Sequence, residues 1–180
     1  MEESRHTRII FGSKVSRMPR HPAKEIKSGT LHVRIDMEHY LALFEPDLQA
    51  GGYVVIFPDF GYGVTQGETD EEAMTMARDL LMLTIGDFIR ACQPLPAPRR
   101  RRGAKFRLVP LSALQSAKVD LYTGFLKSGL TKAEFARRIG IPKTHIERLF
   151  SLRHRSRLDQ IESAFAALGK QLHVEVRDAA

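Results

Sequence analysis

LTKAEFARRIGIPKTHIERLF, residues 130–150, has the most informative residue spacing in the chain. Counted from Lys132, a small residue stands fifth (Ala136) and a glycine stands ninth (Gly140). Two short helices that cross steeply need a small side chain where they touch and a glycine at the tight turn between them. The spacing therefore predicts a helix-turn-helix. Apolar residues would hold its second helix against the first: Ile139, Ile141, Ile146 and Leu149.

The polar side of this predicted second helix indicates DNA binding. A helix held in this way is free to enter a major groove with its outer side chains, while the start of the first helix lies beside the DNA backbone. His145 and His154 lack the paired Cys/His spacing of a zinc site, so we expect no metal there. The predicted DNA-binding residues are Thr131, Lys132, Lys143, Thr144, His145, Glu147, Arg148 and Arg153.

The net charge of +7 is unevenly distributed along the 180 residues. Residues 1–36 carry +4, residues 37–98 carry −8 and residues 99–180 carry +11. An acidic segment joined to a basic one suggests two partners of opposite charge, a basic protein for the first and nucleic acid for the second. The alternative for the acidic block is a merely solvated surface.

The acidic block predicts three strands followed by a helix. Residues 39–44 form an apolar run, and residues 53–57 are apolar on both faces, which is typical of a central strand covered on both sides. Residues 64–66 predict a short third strand. Thr69 and Glu72 have the spacing of a capping box, and apolar residues at helical spacing follow them.

A stiff, basic connector follows this helix. Three prolines between residues 94 and 98 precede Arg99–Arg102, which either contact phosphate or form a solvated loop. Residues 105–109 alternate in the manner of a strand, and we expect them to rejoin the sheet. Ser112 and Gly129 have the positions of an N-cap and a helix stop.

The C-terminal part predicts one more helix and a last strand. Residues 158–168 are apolar at helical spacing and end at Gly169, and residues 171–176 alternate between apolar and polar. A lone terminal strand needs a partner for its backbone groups. Either the sheet or a second subunit would supply that partner.

The acidic block also carries a family resemblance. Residues 45–81, EPDLQAGGYVVIFPDFGYGVTQGETDEEAMTMARDLL, closely resemble the HicB antitoxin family in the GGY strand, the FPD turn, the T-x-G-x-T segment and the Glu-Ala pair that opens the helix. Residues 60–63 differ, because the family more often has a Pro-Gly turn there. Residues 107–122 and 156–176 are similar to the helix-turn-helix branch of the same family.

This resemblance, over about residues 37–177, implies an α+β protein in two domains. Residues 37–111 would form a βββα(β) domain like a trimmed ribonuclease H that binds a toxin, with the connector 93–104 inside it. Residues 112–180 would form an all-α helix-turn-helix domain with a terminal strand. Family members bind HicA, a small basic mRNA-cleaving toxin, and repress their own operon. The implied partners are a HicA-like toxin, operator DNA and further copies of the chain, as a homodimer or larger oligomer; no cofactor is implied.

The N-terminal segment carries a second resemblance. Residues 5–31, RHTRIIFGSKVSRMPRHPAKEIKSGTL, look like the C-terminal half of a HicA toxin, with His6 at the position of the toxin's catalytic histidine. The toxin's first helix is missing, and its last helix, opened by residues 29–31, would stop near Arg34. Residues 1–36 thus resemble a basic HicA remnant, partly disordered, fused to a whole antitoxin. Either a deletion joined two genes, or translation truly starts further downstream.

His6 is the only candidate for catalysis. A histidine near neutrality beside a phosphate could act as general acid and base in RNA cleavage. The alternatives are an inert extension, or a fragment that packs on its own antitoxin domain, because about 36 residues seldom fold alone. We therefore expect no catalytic residue and no enzyme. Glu45, Asp59, Glu68 and Asp70 could in principle form a metal-dependent nuclease site, but turn and cap roles explain them.

Several classes of protein are excluded by composition. The single cysteine, Cys92, permits no internal disulfide, and neither a membrane-spanning run nor a signal peptide is visible. The sequence thus predicts a cytoplasmic, DNA-binding antitoxin that represses transcription. An mRNA interferase acting through His6 and an orphan transcriptional regulator are the alternatives.

Overall fold

A computed structural model describes the backbone of residues 5–12, 32–34 and 40–178, and the side chains of residues 40–173. The described part is α+β, with a four-stranded antiparallel sheet, a three-stranded sheet and five α-helices. Its elements, in chain order, are β1 (Arg5–Gly12), β2 (His32–Arg34), β3 (Leu41–Pro46), β4 (Tyr53–Ile56), β5 (Val64–Gly67), α1 (Asp70–Arg90), β6 (Phe106–Leu108), α2 (Ala113–Ser128), α3 (Lys132–Ile139), a 3-10 turn (Lys143–His145), α4 (Ile146–Phe150), α5 (Leu158–Ala167) and β7 (Leu172–Asp178).

The four-stranded sheet has the order β5-β4-β3-β6, with every neighbouring pair antiparallel. β4 is central, as its apolar composition predicts. Val55, at the middle of one face, is 0% exposed, whereas Val54 and Ile56 on the other face are only half-buried. The prediction that both faces of this strand are covered is therefore wrong for one face. Within the described residues, α1 packs against the sheet on the other face.

Helix α1 begins at the predicted cap. The Thr69 hydroxyl accepts a hydrogen bond from the Glu72 N–H at 3.2 Å. The Glu72 carboxylate reaches one residue further than expected and accepts from the Glu68 N–H at 2.9 Å. Gly67 makes this close approach possible, because a Cβ there would lie 2.4 Å from the Ala73 nitrogen. The T-x-G-x-T segment thus joins the edge strand β5 to the first turn of α1.

The connector after α1 lies against the sheet. The Tyr40 hydroxyl donates to the Pro96 carbonyl at 2.7 Å. The chain then enters β6, which pairs with β3 in the register Leu41↔Leu108. These contacts hold residues 94–108 to the same unit as the first three strands of the sheet.

Helix α2 has the two ends that its sequence predicts. Ser112 and Gln115 form a complete capping box, and Gly129 closes the helix in the left-handed conformation at φ 67°. The Tyr122 hydroxyl, which has one hydrogen to donate, lies 2.7 Å from the Gln93 carbonyl and 3.1 Å from the Phe88 carbonyl, where α1 ends. These contacts fix α2 to the end of α1.

The last strand, β7, pairs along its length with β1, in the register Arg5↔Asp178 to Phe11↔Leu172. This partner is neither of the two expected, because the N-terminal segment supplies it. β1 also pairs with β2, so residues 32–34 form a strand and not the end of a toxin-like helix. β1 offers these residues an antiparallel ladder, which satisfies their backbone groups. The toxin resemblance also predicts a hairpin of residues 6–11 with residues 15–18, and residues 15–18 lie outside the described residues.

Buried side chains run continuously from the four-stranded sheet through α1 and α2 to α5. The aromatic members are Tyr40, Phe44, Phe57, Phe60, Tyr122, Phe125, Phe135, Phe150 and Phe165. Of the helices in the described part of the chain, none combines the length and the apolar character that a membrane crossing requires.

Candidate nucleic-acid interface

Helix α3 starts at a complete capping box. The Thr131 hydroxyl accepts from the Glu134 N–H at 3.2 Å, and the Glu134 carboxylate accepts from both the N–H and the hydroxyl of Thr131. These bonds lower the pKa of Glu134 and keep it ionised near the positive end of the helix. The Thr131 hydroxyl is thus engaged locally, although the residue itself is exposed.

The turn between α3 and α4 forms at the predicted glycine. Gly140 adopts φ 79°, in the left-handed region, and its N–H donates to the Ala136 carbonyl at 3.0 Å. A side chain at this position would meet no atom within 4 Å. Glycine is therefore favoured here by backbone conformation rather than by lack of space.

The segment after the turn is shorter than a full recognition helix. Residues 143–145 form a 3-10 turn, and α4 proper covers only Ile146–Phe150. Pro142 precedes the turn and has no side-chain acceptor that could cap it. The first turn therefore closes through an i→i+3 bond from the His145 N–H to the Pro142 carbonyl at 2.8 Å.

Packed aromatic side chains hold α4 against α3. Phe135 and Phe150 are 0% and 1% exposed, and their rings stack with centroids 6.0 Å apart and planes 7° apart. Phe125 of α2 contacts both rings. Ile146 and Leu149 are buried as the spacing predicts, whereas Ile139 and Ile141 are only half-buried.

All but one of the predicted DNA-binding residues are exposed. Lys132 is half-buried, and its Nζ lies 3.4 Å from the Glu147 carboxylate, so these two residues neutralise each other. The exposed ones are Thr131, Lys143, Thr144, His145, Glu147, Arg148 and Arg153. An excess of positive charge therefore remains on the outer side of the α3–α4 segment.

Two clefts flank α4. One, of about 320 Å³, lies between α4 and α5 and includes His145 and Arg148. The other, of about 300 Å³, lies between α4 and α1 and includes Lys132, Glu147 and Arg153. The predicted residues are therefore split between the two sides of α4.

Sequence reasoning missed Lys118 of α2. Its side chain is 0% exposed, and its Nζ lies 2.6 Å from the Ser151 carbonyl and 2.5 Å from the His154 carbonyl. A third carbonyl, that of Arg148, lies at 3.5 Å. The available signal was a lysine at a core position of an apolar helical stripe, four residues after Leu114 and three before Leu121.

The four carboxylates weighed for a nuclease site do not converge. Three of them pair with cations of the connector and β6: Asp59 with Arg101 at 2.9 Å, Glu45 with Lys105 at 3.9 Å, and Asp70 with Arg107. The fourth, Glu68, lies beside the cap of α1 and is exposed. Among the residues whose side chains are described, no three His, Cys, Asp or Glu residues are grouped as a metal site requires.

Asp59 is the firmest of these anchors. Its side chain is 2% exposed, and it accepts hydrogen bonds from the Arg101 guanidinium and from the Arg99 N–H at 3.1 Å. Arg101 also lies 5.8 Å from the centroid of the Phe106 ring. Of the four connector arginines, Arg101 thus engages the protein with its side chain and Arg99 with its backbone N–H, and the residues Arg99, Arg100 and Arg102 are exposed.

The acidic unit exposes apolar and acidic residues together. Val64 on the edge strand β5 is 65% exposed, and Leu83 on the outer side of α1 is 49% exposed. Glu71 and Asp79 are exposed on the same helix. This combination suits a partner that is basic and partly apolar. His6 lies in β1, and its side chain is outside the described set.

Comparison with known proteins places these observations in a family. A model of the HicB-like antitoxins of bacterial toxin–antitoxin systems matches residues 39–120. The chain is 46% identical over 125 residues to Antitoxin HicB of Escherichia coli (strain K12), covering 68% of this chain and 88% of that protein. It is 36% identical over 137 residues to Antitoxin HicB 1 of Photorhabdus laumondii, covering 76% and 86% respectively.

Proposed function

Because this chain belongs to the HicB-like antitoxin family of bacterial toxin–antitoxin systems, we propose that it neutralises a small basic mRNA-cleaving toxin of the HicA type and represses its own operon. Membership of the family implies a toxin as its partner in the system, and it identifies the chain as a regulator and not an enzyme. We place both activities in the cytoplasm.

We assign the two activities to two parts of the chain. Residues 37–111 would bind the toxin in a ribonuclease-H-like arrangement, and residues 112–180 would bind operator DNA through a helix-turn-helix. The observation that carries the DNA assignment is the exposed basic surface of the α3–α4 segment, next to a buried aromatic cluster that fixes its shape. An arginine that reaches a base edge discriminates by about 1–3 kcal/mol.

Footprinting on the chain's own promoter tests the DNA assignment. The variant Lys143→Ala/Arg148→Ala should lose protection of the operator. Arg78→Ala/Lys127→Ala removes the same charge from exposed positions on α1 and α2 and should retain it. Unchanged protection by the first variant would refute the assignment.

The toxin assignment is carried by the charge of −8 over residues 37–98 and by the exposed acidic and apolar residues of α1. The single charge reversals Glu71→Lys and Asp79→Lys, each made alone, should weaken binding of a HicA-type toxin encoded beside this chain, measured by calorimetry. Glu162→Lys, at an exposed position of α5, is the matched control. Equal toxin affinities for all three variants would show that the toxin does not bind this surface of α1.

A palindromic operator would need two copies of the chain, with recognition segments about 34–36 Å apart. Within the described residues, β7 has a ladder partner on one edge only. We propose that the last strand contributes to a homodimer, and that deletion of residues 170–180 produces monomers in light scattering. If the truncated protein stays dimeric, the dimer interface must instead be assigned to the acidic unit, residues 37–98.

The HicA-like N-terminal segment is proposed to be catalytically inert. Expression of the wild-type chain should cause no growth arrest, and purified protein should not cleave RNA. Arrest that disappears in His6→Ala would show instead that the segment is an active ribonuclease.

A further inference from the structure

Lys118 is a charged side chain enclosed at the centre of the C-terminal unit. It lies on α2 among apolar neighbours, and its side chain is 0% exposed. Burial lowers the pKa of Lys118 to about 8. At pH 7 the group is therefore still mostly an ammonium, which brings three N–H donors into the protein interior.

Three carbonyl oxygens meet these donors, and all three belong to the end of α4 and the turn after it. They are those of Arg148, Ser151 and His154, at 3.5, 2.6 and 2.5 Å from Nζ. The last carbonyls of a helix have no partner inside the helix and carry partial negative charge. A single ammonium thus binds two carbonyls of the turn that follows α4, those of Ser151 and His154, and also lies at the limit of hydrogen-bond distance from one carbonyl of α4 itself, that of Arg148.

The next turn of α2 contacts the end of a different helix, α1. Tyr122, four residues after Lys118, places its hydroxyl within hydrogen-bond distance of the Phe88 carbonyl in the last turn of α1 and of the Gln93 carbonyl just after it. Residues four apart lie on the same side of a helix. One side of α2 therefore holds both the end of α1 and the end of α4.

We propose that Lys118 is a positioning residue for DNA recognition, which sets the orientation of the α4 segment and of the turn that carries Arg153 and His154. The proposal rests on the DNA binding proposed above. α4 has only five residues and no side-chain cap at its start, so its own hydrogen bonds define its direction weakly. The bonds from Lys118 fix its far end and thereby the angle at which Lys143, Thr144 and Arg148 face a groove.

A purely structural role would have a different signature. Loss of stability alone lowers the folded fraction, and it therefore reduces specific and non-specific DNA binding in proportion. Loss of positioning leaves the phosphate contacts, which tolerate small shifts, but disrupts base contacts, which need defined geometry. The ratio of operator affinity to random-DNA affinity separates the two roles.

The test uses the full-length chain and three variants. Lys118→Met keeps the length of the side chain and removes its donors, and Lys118→Gln keeps two of them. Lys127→Met is the matched control, because it removes the same charge from an exposed position on the same helix. Affinity for the operator and for random duplex of equal length is measured at pH 7 and constant salt.

We expect Lys118→Met to reduce operator affinity by about tenfold, the equivalent of one buried hydrogen-bonding group left unpaired. Its affinity for random duplex should equal that of Lys127→Met, and Lys118→Gln should lie between it and the wild type. Equal losses on both DNAs, or no loss on the operator, would overturn the proposal. So would failure of both Lys118 variants to fold, since the residue would then serve folding.

The same measurement separates this proposal from the one on which it rests. If the wild-type chain itself does not prefer its operator over random duplex, the DNA assignment fails and takes this inference with it. If the wild type does prefer the operator and Lys118→Met retains the full preference, only the positioning role of Lys118 is overturned.

Discussion

Asp120, on α2, has a carboxylate whose burial is not compensated by hydrogen bonds. Its Oδ2 atom is buried and has no hydrogen-bond partner in the described part of the chain. Burial raises its pKa to about 7, although Lys170 and Lys127 act in the opposite direction. Between pH 4 and pH 7 the folded chain therefore holds a proton that the unfolded chain releases. The contribution of Asp120 to the free energy of unfolding therefore falls as pH rises through this window and levels off above it.

Asp120→Asn should remove this dependence, because the amide never ionises. At pH 8 we expect the variant to be more stable than the wild type by about 1–3 kcal/mol, and near pH 4 the two should be equally stable. Urea unfolding at both pH values gives the comparison. Glu162→Gln changes an exposed carboxylate and should have no such effect. Parallel stability curves for wild type and Asp120→Asn would contradict the prediction.

Asp59 is the complementary case, a buried carboxylate with its partners in place. Asp59→Asn should destabilise the chain by about 2 kcal/mol, because Arg101 loses its counter-charge and an amide hydrogen faces a donor. Glu45→Gln should change stability by less than about 0.5 kcal/mol, since the Glu45–Lys105 pair is mostly exposed at 3.9 Å. Thermal melts test both, and equal shifts would mean that Asp59 is no anchor.

Single residues show where sequence reasoning is limited. The capping roles of Thr69 and Ser112 follow from neighbours three residues away, and the structure confirms them. The partner of Asp59 lies 42 residues along the chain and the carbonyls around Lys118 lie 30 to 36 residues along. No local spacing encodes such pairs, because the fold alone brings them together.

At the scale of the element, the ends of helices decide where segments stop. α2 and α3 both end at a glycine in the left-handed conformation. Such helix ends can be predicted from the sequence, because glycine adopts the left-handed conformation at little energetic cost and other residues do not. The short length of α4 could not be predicted from the sequence. The same apolar spacing suits both a long helix and a 3-10 turn that is followed by one and a half helical turns.

Two glycine-to-alanine substitutions should act with opposite signs. Gly140→Ala should destabilise the chain by about 1 kcal/mol, since an L-residue at φ 79° is strained even with open space around it. Gly86→Ala, inside α1, should stabilise it by about 0.5–1 kcal/mol, because the new Cβ would lie no closer than 3.7 Å to the Arg90 side chain. Urea titrations measure both, and effects of the same sign would refute the argument.

At the scale of the whole molecule, the chain termini meet in one sheet. β1 and β7 pair over seven positions, with Arg5 opposite Asp178 and Arg8 opposite Glu175. The sequence predicted a last strand in need of a partner, but it could not identify that partner, because ladder pairing depends on which edge the fold brings within reach.

Deletion of residues 1–36 should leave β7 without its ladder partner. The shortened chain should then self-associate more strongly than the full chain, because an open edge pairs readily with another copy. Light scattering between low and high micromolar concentration measures the effect. DNA binding should persist, since α3 and α4 are untouched. A shortened chain with the same mass as the full chain at every concentration would argue against the role of β1 as an edge cover.

The β1–β7 ladder also determines when folding can be completed, because it cannot form until the last strand has been synthesised. Roughly 160 residues separate the end of β1 from the start of β7, and a ribosome that adds about 5–20 residues per second needs about 8–30 s for them. During that time β1 and β2 have emerged, but the strand that covers the other edge of β1 has not yet been made. On a message read by several ribosomes, neighbouring nascent chains would hold copies of this open edge close together. A chain whose synthesis stops before residue 172 would keep that edge of β1 open for its whole lifetime.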